Sequence, residues 1–476
     1  MIHQLKIPNI KSIILLSILG IVILFLGLFL ENKILIFLPF GILISLIFSL
    51  VPRFLYFLLI ASIPISVVYD FNGGLSTDFP FEFITIFLMF MVWIEIFMKK
   101  NPDLTALVKN PITLIHVLLF ISAILSTITA MNQTIAIKYI LAKTWYLSAL
   151  FIYSFILFDT IEKLKKFFWC FYIPFIFTVI LSFIKTVIGN FNFENTNLYS
   201  LPFYPNHVMY ATTMSIFLPF VFYFRTWYQK GSLIRILLTW SIFLILIAIY
   251  FSYTRSCYIA LIGAFIYIYF IKFKKTSWAF LLILVFTILS IKWVSIDYNF
   301  LKLQPDFTKT IIHQDFKDHL IATFRGKDAS SMERLNMWIG GVRMHQDYIW
   351  TGVGPNNFPS SYKPYTLYHF HTWVSDNPLK LSCHNYFLLM LTEQGIVGFL
   401  IFVISIFTIL YQIDQLYFKA NNKKIKNLTL TLGASFVILL INLLFSDLIE
   451  TAKNGFFFFF ISAILIRIAS WNKNKL

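Results

Sequence analysis

The stretch SCHNYFLLMLTEQGIVG, residues 382–398, joins a long polar segment to a run of apolar residues. Apolar side chains dominate from Tyr386 onward, and after Gly395 they continue far enough to enter a membrane. His384 therefore lies where water meets the membrane. An imidazole in this position can exchange a proton near neutral pH, and the helix behind it fixes its direction. The stretch predicts an apolar helix bundle with chemistry at one of its surfaces.

Composition supports this interpretation. Hydrophobic residues make up 59% of the 476 residues and charged residues only 12%, whereas soluble domains carry about 25% charged residues. We therefore predict an all-α polytopic membrane protein with about fourteen transmembrane helices, in a range of about twelve to fourteen. The apolar runs cover residues 12–30, 33–51, 54–69, 80–98, 112–130, 137–158, 167–189, 206–224, 234–251, 256–272, 277–295, 395–411, 429–446 and 455–470.

The distribution of basic residues predicts the topology. The net charge is +17, but the basic residues form short clusters between apolar runs and no single stripe. This pattern is typical of positive-inside topology signals and not of a nucleic-acid interface. It places both termini in the cytoplasm. The predicted organisation is an N-terminal bundle (1–294), a large outer loop with short helices (295–394) and C-terminal transmembrane helices (395–476).

Two features of the outer loop stand out. Apolar residues recur at helical spacing between Ser330 and His345, which predicts an amphipathic helix on the bundle or the membrane surface. The following sequence WTGVGPNN, residues 350–357, is rich in turn formers. It fits a loop close to a ligand and equally a tight bend.

Several basic residues lie on the predicted outer side. Arg255, in FSYTRS (residues 251–256), occupies a connection of only a few residues between two spans. Its permanently charged, bidentate guanidinium suits a phosphate, although contact with lipid headgroups is the alternative. Lys138, Lys143 and Lys185 are interfacial lysines or, together with Arg255, an outward-facing basic cradle.

Glu393 lies nine residues beyond His384. In one continuous helix the two side chains would face opposite ways, about 13 Å apart along the axis. We therefore expect an interfacial helix over 384–393, a bend at Gly395 and Gly398, and a span that begins near Ile396. Glu393 would then anchor a basic partner or remain a solvated carboxylate.

Other kinds of site are not indicated. His313, His319, His345, His369 and His371 lack the spacing of zinc ligands, so no metal is expected. The sequence contains no nucleotide-binding motif. Of the three cysteines, Cys257 and Cys383 fall on the same predicted side, where a bridge and two separate thiols are both compatible with the sequence.

A series of motifs carries a family resemblance. Thr254-Arg255-Ser256 is followed by Glu333-Arg334-Leu335-Asn336-Met337-Trp338, then by Gly352-Val353-Gly354 and finally by His384-Asn385 and Glu393-Gln394-Gly395-Ile396-Val397-Gly398. In this order the motifs resemble the bacterial O-antigen ligase and O-antigen polymerase superfamily, over roughly residues 200 to 400.

The resemblance implies transfer of a glycan from an undecaprenyl-diphosphate carrier to an acceptor hydroxyl, at the periplasmic face of the bacterial inner membrane. The acceptor would be lipid A-core, a growing glycan or a protein, and no cofactor or metal would be needed. His384 corresponds to the family's general base and Arg255 to a diphosphate-binding arginine. Arg334, Lys185, Lys143, Asn385 and Glu393 are the further substrate-binding candidates.

The family often carries another arginine before a Pro-Asn-containing helix start, but residues 195–206 contain none. Lys185, Lys143 or Arg334 would have to supply that charge. A ligase and a repeat-unit polymerase both fit the motifs, and we favour the ligase slightly. A lipid or polysaccharide transporter is the rival from another class; it predicts internal repeats and charges along a path through the bilayer.

Overall fold

The computed structural model describes residues 52–71, 75–98, 104–275, 329–366 and 381–473, together with isolated positions between 278 and 296 and Asn377. The predicted spans 12–30 and 33–51 lie outside the described residues, and span 277–295 is described at isolated positions only. The domain limits at 294 and 394 remain predictions.

The described part of the chain is a bundle of long apolar helices. Nine of them are long and apolar enough to cross a membrane within the described ranges, which confirms a multi-pass, mainly helical protein without fixing the total of about fourteen. They are α4 (Pro111–Ile128), α5 (Gln133–Leu157, with a π-helical part at Leu147–Ile152), α6 (Lys163–Ile188), α8 (His207–Arg225), α9 (Leu233–Phe251), α10 (Arg255–Phe270, extended by a 3₁₀ turn Ile271–Phe273), α14 (Gly395–Lys419), α15 (Lys423–Leu443) and α16 (Ala452–Lys473).

Shorter helices complete the described structure. Two of them are apolar, α1 (Pro52–Ile65) and α2 (Phe81–Phe97). The others are α3 (Thr105–Val108), α7 (Thr196–Ser200), α11 (Ala329–Asp347), α12 (Phe358–Ser361) and α13 (Tyr386–Glu393), with 3₁₀ turns at Lys363–Tyr365 and Leu448–Glu450.

The all-α prediction is wrong at one place. Strands β1 (Val67–Phe71) and β2 (Leu75–Phe79) form an antiparallel hairpin between α1 and α2, with Val67 opposite Phe79. The apolar run 54–69 suggested a single helix, but α1 ends at Ile65, directly after Pro64. A proline weakens the helix around it, and the β-branched residues that follow favour strand.

Burial separates central helices from peripheral ones. Of an 18-residue window in each helix, 78% is buried in α8 and in α16 and 72% in α15, but only 28% in α10 and 33% in α4 and α9. The centre is aromatic: α16 carries five consecutive phenylalanines, Phe456–Phe460, and the Phe460 ring stacks on Phe167 of α6 at 4.1 Å. Offset ring stacking of this kind adds to the dispersion energy of close packing.

One end of the bundle gathers the segments that carry the candidate site. Here α4 ends, α10 and α14 begin, and α15 leads through residues 444–451 into α16. The loop after α11 docks on the end of α4, since Met131 N donates to Val353 O at 3.0 Å. We call this the loop end; that it faces the periplasm remains a prediction.

Candidate active site

The helix break at the loop end is built as the sequence predicts. Asn385 caps α13 through its side-chain oxygen, which accepts a hydrogen bond from Leu388 N at 3.1 Å. Gly395 then adopts φ +66°, and α14 begins at the same residue. A Cβ on Gly395 would lie 2.2 Å from Trp350 O, so the bend requires glycine. The side chain of Asn385, predicted to bind substrate, is engaged in capping and is buried.

His384 directly precedes this cap in an unusual backbone conformation. Its φ is +52°, in the left-handed region that non-glycine residues rarely adopt. The preceding carbonyl, Cys383 O, accepts a hydrogen bond from Trp338 Nε1 of α11 at 2.8 Å. Helix α11 and α13 therefore hold His384 from both sides, and strain of this kind is typical of functional positions.

Arg334 lies one helical turn before Trp338 on α11, so both residues face the same way. The charge of Arg334 acts on His384 and lowers its pKa. The hydrogen bond from Trp338 to Cys383 therefore brings the predicted base His384 close to the predicted substrate-binding residue Arg334.

The surroundings of His384 favour its neutral form. Burial is the main cause that lowers the pKa of His384, and Arg334 acts in the same direction, while the negative charge of Asp447 opposes them. The net direction is below the usual value of 6.5. At neutral pH the imidazole is consequently unprotonated and able to accept a proton.

Among the residues that the structure describes, Glu393 has no ion pair with a basic side chain, contrary to the expectation, and its carboxylate is not solvated. It is buried, and its two carboxylate oxygens accept hydrogen bonds from Asn356 N at 2.8 Å and from Phe358 N at 3.0 Å. Burial raises the pKa of Glu393 to about 8, although both backbone donors pull it down. Two amides were missed as partners because a sequence does not show which backbone groups a fold leaves unpaired.

The glycines of the GVG motif form a tight bend. Gly352 and Gly354 have φ +69° and +101°. A Cβ on Gly352 would lie 2.4 Å from the Glu393 carbonyl carbon, and one on Gly354 would lie 2.3 Å from Ala130 Cβ. The motif thus packs the loop against the α13–α14 break and the end of α4.

Arg255 is the first residue of α10, at the loop end, and is partly buried. Two residues later Cys257 Sγ lies 3.5 Å from Asn442 Oδ1, near the end of α15. The connection that follows α15 carries Asp447, whose charge acts on His384. Arg255 and His384 both lie at the loop end, Arg255 at the start of α10 and His384 directly before the cap of α13.

The remaining predicted residues have structural contacts. Lys143 forms an ion pair with Glu450 at 2.8 Å, and Lys185 Nζ donates to Leu201 O at 2.7 Å. Cys257 and Cys383 are free thiols and so is Cys170, which excludes the bridge that the sequence left open.

Sequence reasoning missed three charged residues of the α15–α16 region. Asp447 acts on His384, Glu450 pairs with Lys143, and Lys453 is buried with its ammonium donating to Ile63 O at 2.8 Å and Ser66 O at 2.9 Å. The sequence could have pointed to these residues, because three charges beside an apolar span are energetically costly unless they have partners.

Within the described ranges, no group of three or more His, Cys, Asp or Glu residues is arranged to hold a metal ion. His313, His319, His369 and His371 lie outside the described residues.

The comparison with protein families agrees with this arrangement. Residues 240–403 match the family model described as O-antigen ligase. This match places the segment in the O-antigen ligase and polymerase superfamily, which confirms the resemblance. No curated protein matches the chain significantly.

The O-antigen ligase match runs from α9 into α14 and includes Arg255, Arg334, His384 and Glu393. Lys143 and Lys185 lie before it, and Asp447 lies after it. The family indicates a membrane glycosyltransferase of the ligase or polymerase type, acting on a lipid-linked glycan and a glycan acceptor.

Proposed function

We propose that this protein transfers a glycan from an undecaprenyl-diphosphate carrier to an acceptor hydroxyl at the periplasmic face of the inner membrane, as an O-antigen ligase. The observation that carries the proposal is the placement of His384. A partly buried imidazole with a lowered pKa lies beside Arg334 at the loop end, inside the segment that matches the ligase family.

In the proposed reaction His384 accepts the proton of the acceptor hydroxyl while the hydroxyl oxygen forms a bond to the anomeric carbon of the glycan. The bond between that carbon and the carrier phosphate breaks, and its electron pair stays on undecaprenyl diphosphate. A neutral base close to the hydroxyl is the requirement for this step. Asp447 would stabilise the imidazolium that forms.

Arg255 is our candidate for binding the diphosphate. A guanidinium forms two parallel hydrogen bonds with a phosphate group, and the backbone N–H groups of a helix N-terminus also favour an anion. Arg255 combines both features because it opens α10. Arg334 is the stronger candidate for the second charge, since Lys143 is paired with Glu450 and Lys185 is bound to a carbonyl.

The proposed chemistry needs neither a nucleotide nor a metal ion, because the carrier diphosphate is already an activated leaving group. What the protein must supply is charge stabilisation for that group and a positioned acceptor.

A repeat-unit polymerase would use the same donor chemistry, and the difference lies in the product. The test is to inactivate the protein in its own cells and to analyse the carrier-linked glycans. We expect full-length polymer to accumulate on the carrier, because a ligase acts after polymerisation. Accumulation of single repeat units would show a polymerase instead, and an unchanged carrier pool would refute both.

A further inference from the structure

The carboxylate of Glu450 is the centre of a hydrogen-bonded network that reaches the first residue of α13. Glu450 Oε2 lies 2.8 Å from Lys143 Nζ. Glu450 Oε1 accepts hydrogen bonds from Tyr386 Oη at 2.7 Å and from Tyr139 Oη at 3.3 Å. The lysine and one tyrosine belong to α5, the other tyrosine belongs to α13, and the carboxylate follows α15. One side chain thus joins three segments that are far apart in the sequence.

The ion pair in this network is confined by its surroundings. Lys143 lies one helical turn after Tyr139 on α5, so the two side chains share a face of the helix. The ammonium lies 5.0 Å from the centre of the Tyr139 ring and 5.9 Å from that of Phe459. The side chains of Lys143 and Glu450 are only 13% and 26% exposed. Salt screens an ion pair with so little exposure much less than a surface pair, so the pair restrains both partners.

The network connects the acidic residue Asp447 with the imidazole of His384. Asp447 directly precedes the 3₁₀ turn that ends at Glu450, and Glu450 N donates to Asp447 O at 3.0 Å. A restraint on Glu450 is therefore a restraint on Asp447, whose negative charge acts on His384. Tyr386 is the second link, because it follows His384 by two residues and donates to the same carboxylate. Both the imidazole and the acidic residue that acts on it are thus tied to Glu450.

We propose that Glu450 is a positioning residue, whose carboxylate fixes the distance between Asp447 and His384 by holding the turn after Asp447 against α5 and α13. Asp447 then stabilises the imidazolium that forms when His384 takes the proton of the acceptor hydroxyl. The inference rests on the proposed function, because it adds a support for the base of that reaction. Lys143 and Glu450 both lie outside the segment that matches the ligase family, so this support comes from other parts of the chain.

The test measures the pKa of His384 in the purified full-length protein, from the pH dependence of hydrogen–deuterium exchange at the imidazole C2 position, read by mass spectrometry. Burial lowers this pKa, the charge of Asp447 raises it, and the charge of Arg334 lowers it. The neighbouring Cys383 thiol and Tyr386 hydroxyl are neutral at neutral pH, because burial raises the pKa of both. A variant that lets Asp447 move away should therefore lower the pKa of His384, as Asp447→Asn should.

Tyr386→Phe removes one hydroxyl from the network and changes no charge. It should lower the pKa of His384 by part of the shift that Asp447→Asn produces. Tyr365→Phe is the matched control, because Tyr365 donates to the Asp347 carboxylate at 2.8 Å, at the far end of α11. Its exchange should leave the pKa of His384 unchanged.

Lys143→Met separates positioning from a direct effect of charge. Removal of a positive charge from an otherwise unchanged structure would raise the pKa of His384, whereas loss of the restraint on Glu450 should lower it. A lowered pKa is the expected result. In Lys143→Met or in Tyr386→Phe, a pKa of His384 that is not lowered overturns the inference.

The exchange at His384 is measured without donor or acceptor. The expected shifts in a protein that transfers no glycan would therefore refute the proposed function alone. Glycan transfer by the wild type, with no lowered pKa in the variants, would refute the inference alone.

Discussion

His384 combines a strained backbone with a lowered imidazole pKa, which suits it to accept a proton. Its φ of +52° is fixed because Trp338 binds the preceding carbonyl and Asn385 caps the following helix. Burial lowers the pKa of the imidazole, the negative charge of Asp447 raises it, and the positive charge of Arg334 lowers it further. Each neighbour has a separable effect, so the role of His384 can be tested through its pKa.

The pH dependence of glycan transfer should follow the lowered pKa of His384. Because the neutral form is the base, kcat/KM should stay level above pH 6.5 and fall only as the pH drops through the lowered pKa. Arg334→Gln removes a charge that lowers this pKa and should shift the acid limb to higher pH. Asp447→Asn should shift it to lower pH. Acid limbs that coincide in all three proteins would argue against His384 as the base.

Arg255→Lys should reduce glycan transfer about tenfold or more, because a lysine ammonium cannot replace two parallel hydrogen bonds to phosphate. The measurement is the rate at saturating and at limiting donor. Arg235→Lys is the matched control, since Arg235 lies near the start of α9, donates to Tyr228 O in the loop before that helix, and should tolerate the exchange. Equal rates of glycan transfer by the wild type and by Arg255→Lys would argue against diphosphate binding and favour the alternative that Arg255 contacts lipid headgroups.

At the scale of elements, the α13–α14 break is the joint that holds the site. Ser126 of α4 donates to Glu393 O at 2.7 Å, Val353 N donates to Thr392 O at 2.9 Å, and Ile396 N donates to Ile349 O at 2.8 Å. These bonds satisfy backbone groups that the break would otherwise leave unpaired beside a membrane. The joint is therefore expected to be rigid.

Gly352→Ala should destabilise the protein by at least about 1–3 kcal/mol, since strain at positive φ is joined by a clash with Glu393. Thermal unfolding in detergent measures the effect. Gly231→Ala is the control: Gly231 has φ +83° with nothing within 4 Å of an added Cβ, so it reports strain alone. A Gly352→Ala protein no less stable than Gly231→Ala would contradict the packing of this bend.

Sequence patterns predicted the elements of this joint but not its contacts. Gly395 and the apolar run behind it located the break correctly, and helical spacing located α11 within 330–345. The partners of Glu393 are backbone amides and the partner of Lys143 is the carboxylate of Glu450. Both were missed because only folding brings these distant segments together. The β1–β2 hairpin escaped because an apolar run with β-branched residues fits helix and strand equally well.

At the scale of the whole molecule, hydropathy predicted the bundle and the order of most spans. It did not predict which helices form the centre, because α8 and α16 are no more apolar than α4 or α9. Their burial comes from aromatic packing between distant segments. A cavity lined by His116 also depends on the whole fold, since side chains of α4, α5, α13, α14 and α16 contribute to its wall.

The same scale unites the candidate site. Residues from α10, α11, the α13 cap and the α15–α16 connection lie at the loop end, and the family match covers the first three of these. The central claim is that this assembly transfers a glycan with His384 as the base.

The most direct test is glycan transfer by the purified protein in proteoliposomes that contain an undecaprenyl-diphosphate-linked glycan and lipid A-core. The wild type should form glycan-linked lipid A-core without added nucleotide or metal. His384→Ala should bind the donor equally well and transfer about 10²–10⁴ times more slowly, the usual contribution of a general base. Transfer by His384→Ala at the wild-type rate, or no transfer by the wild type, would contradict the account.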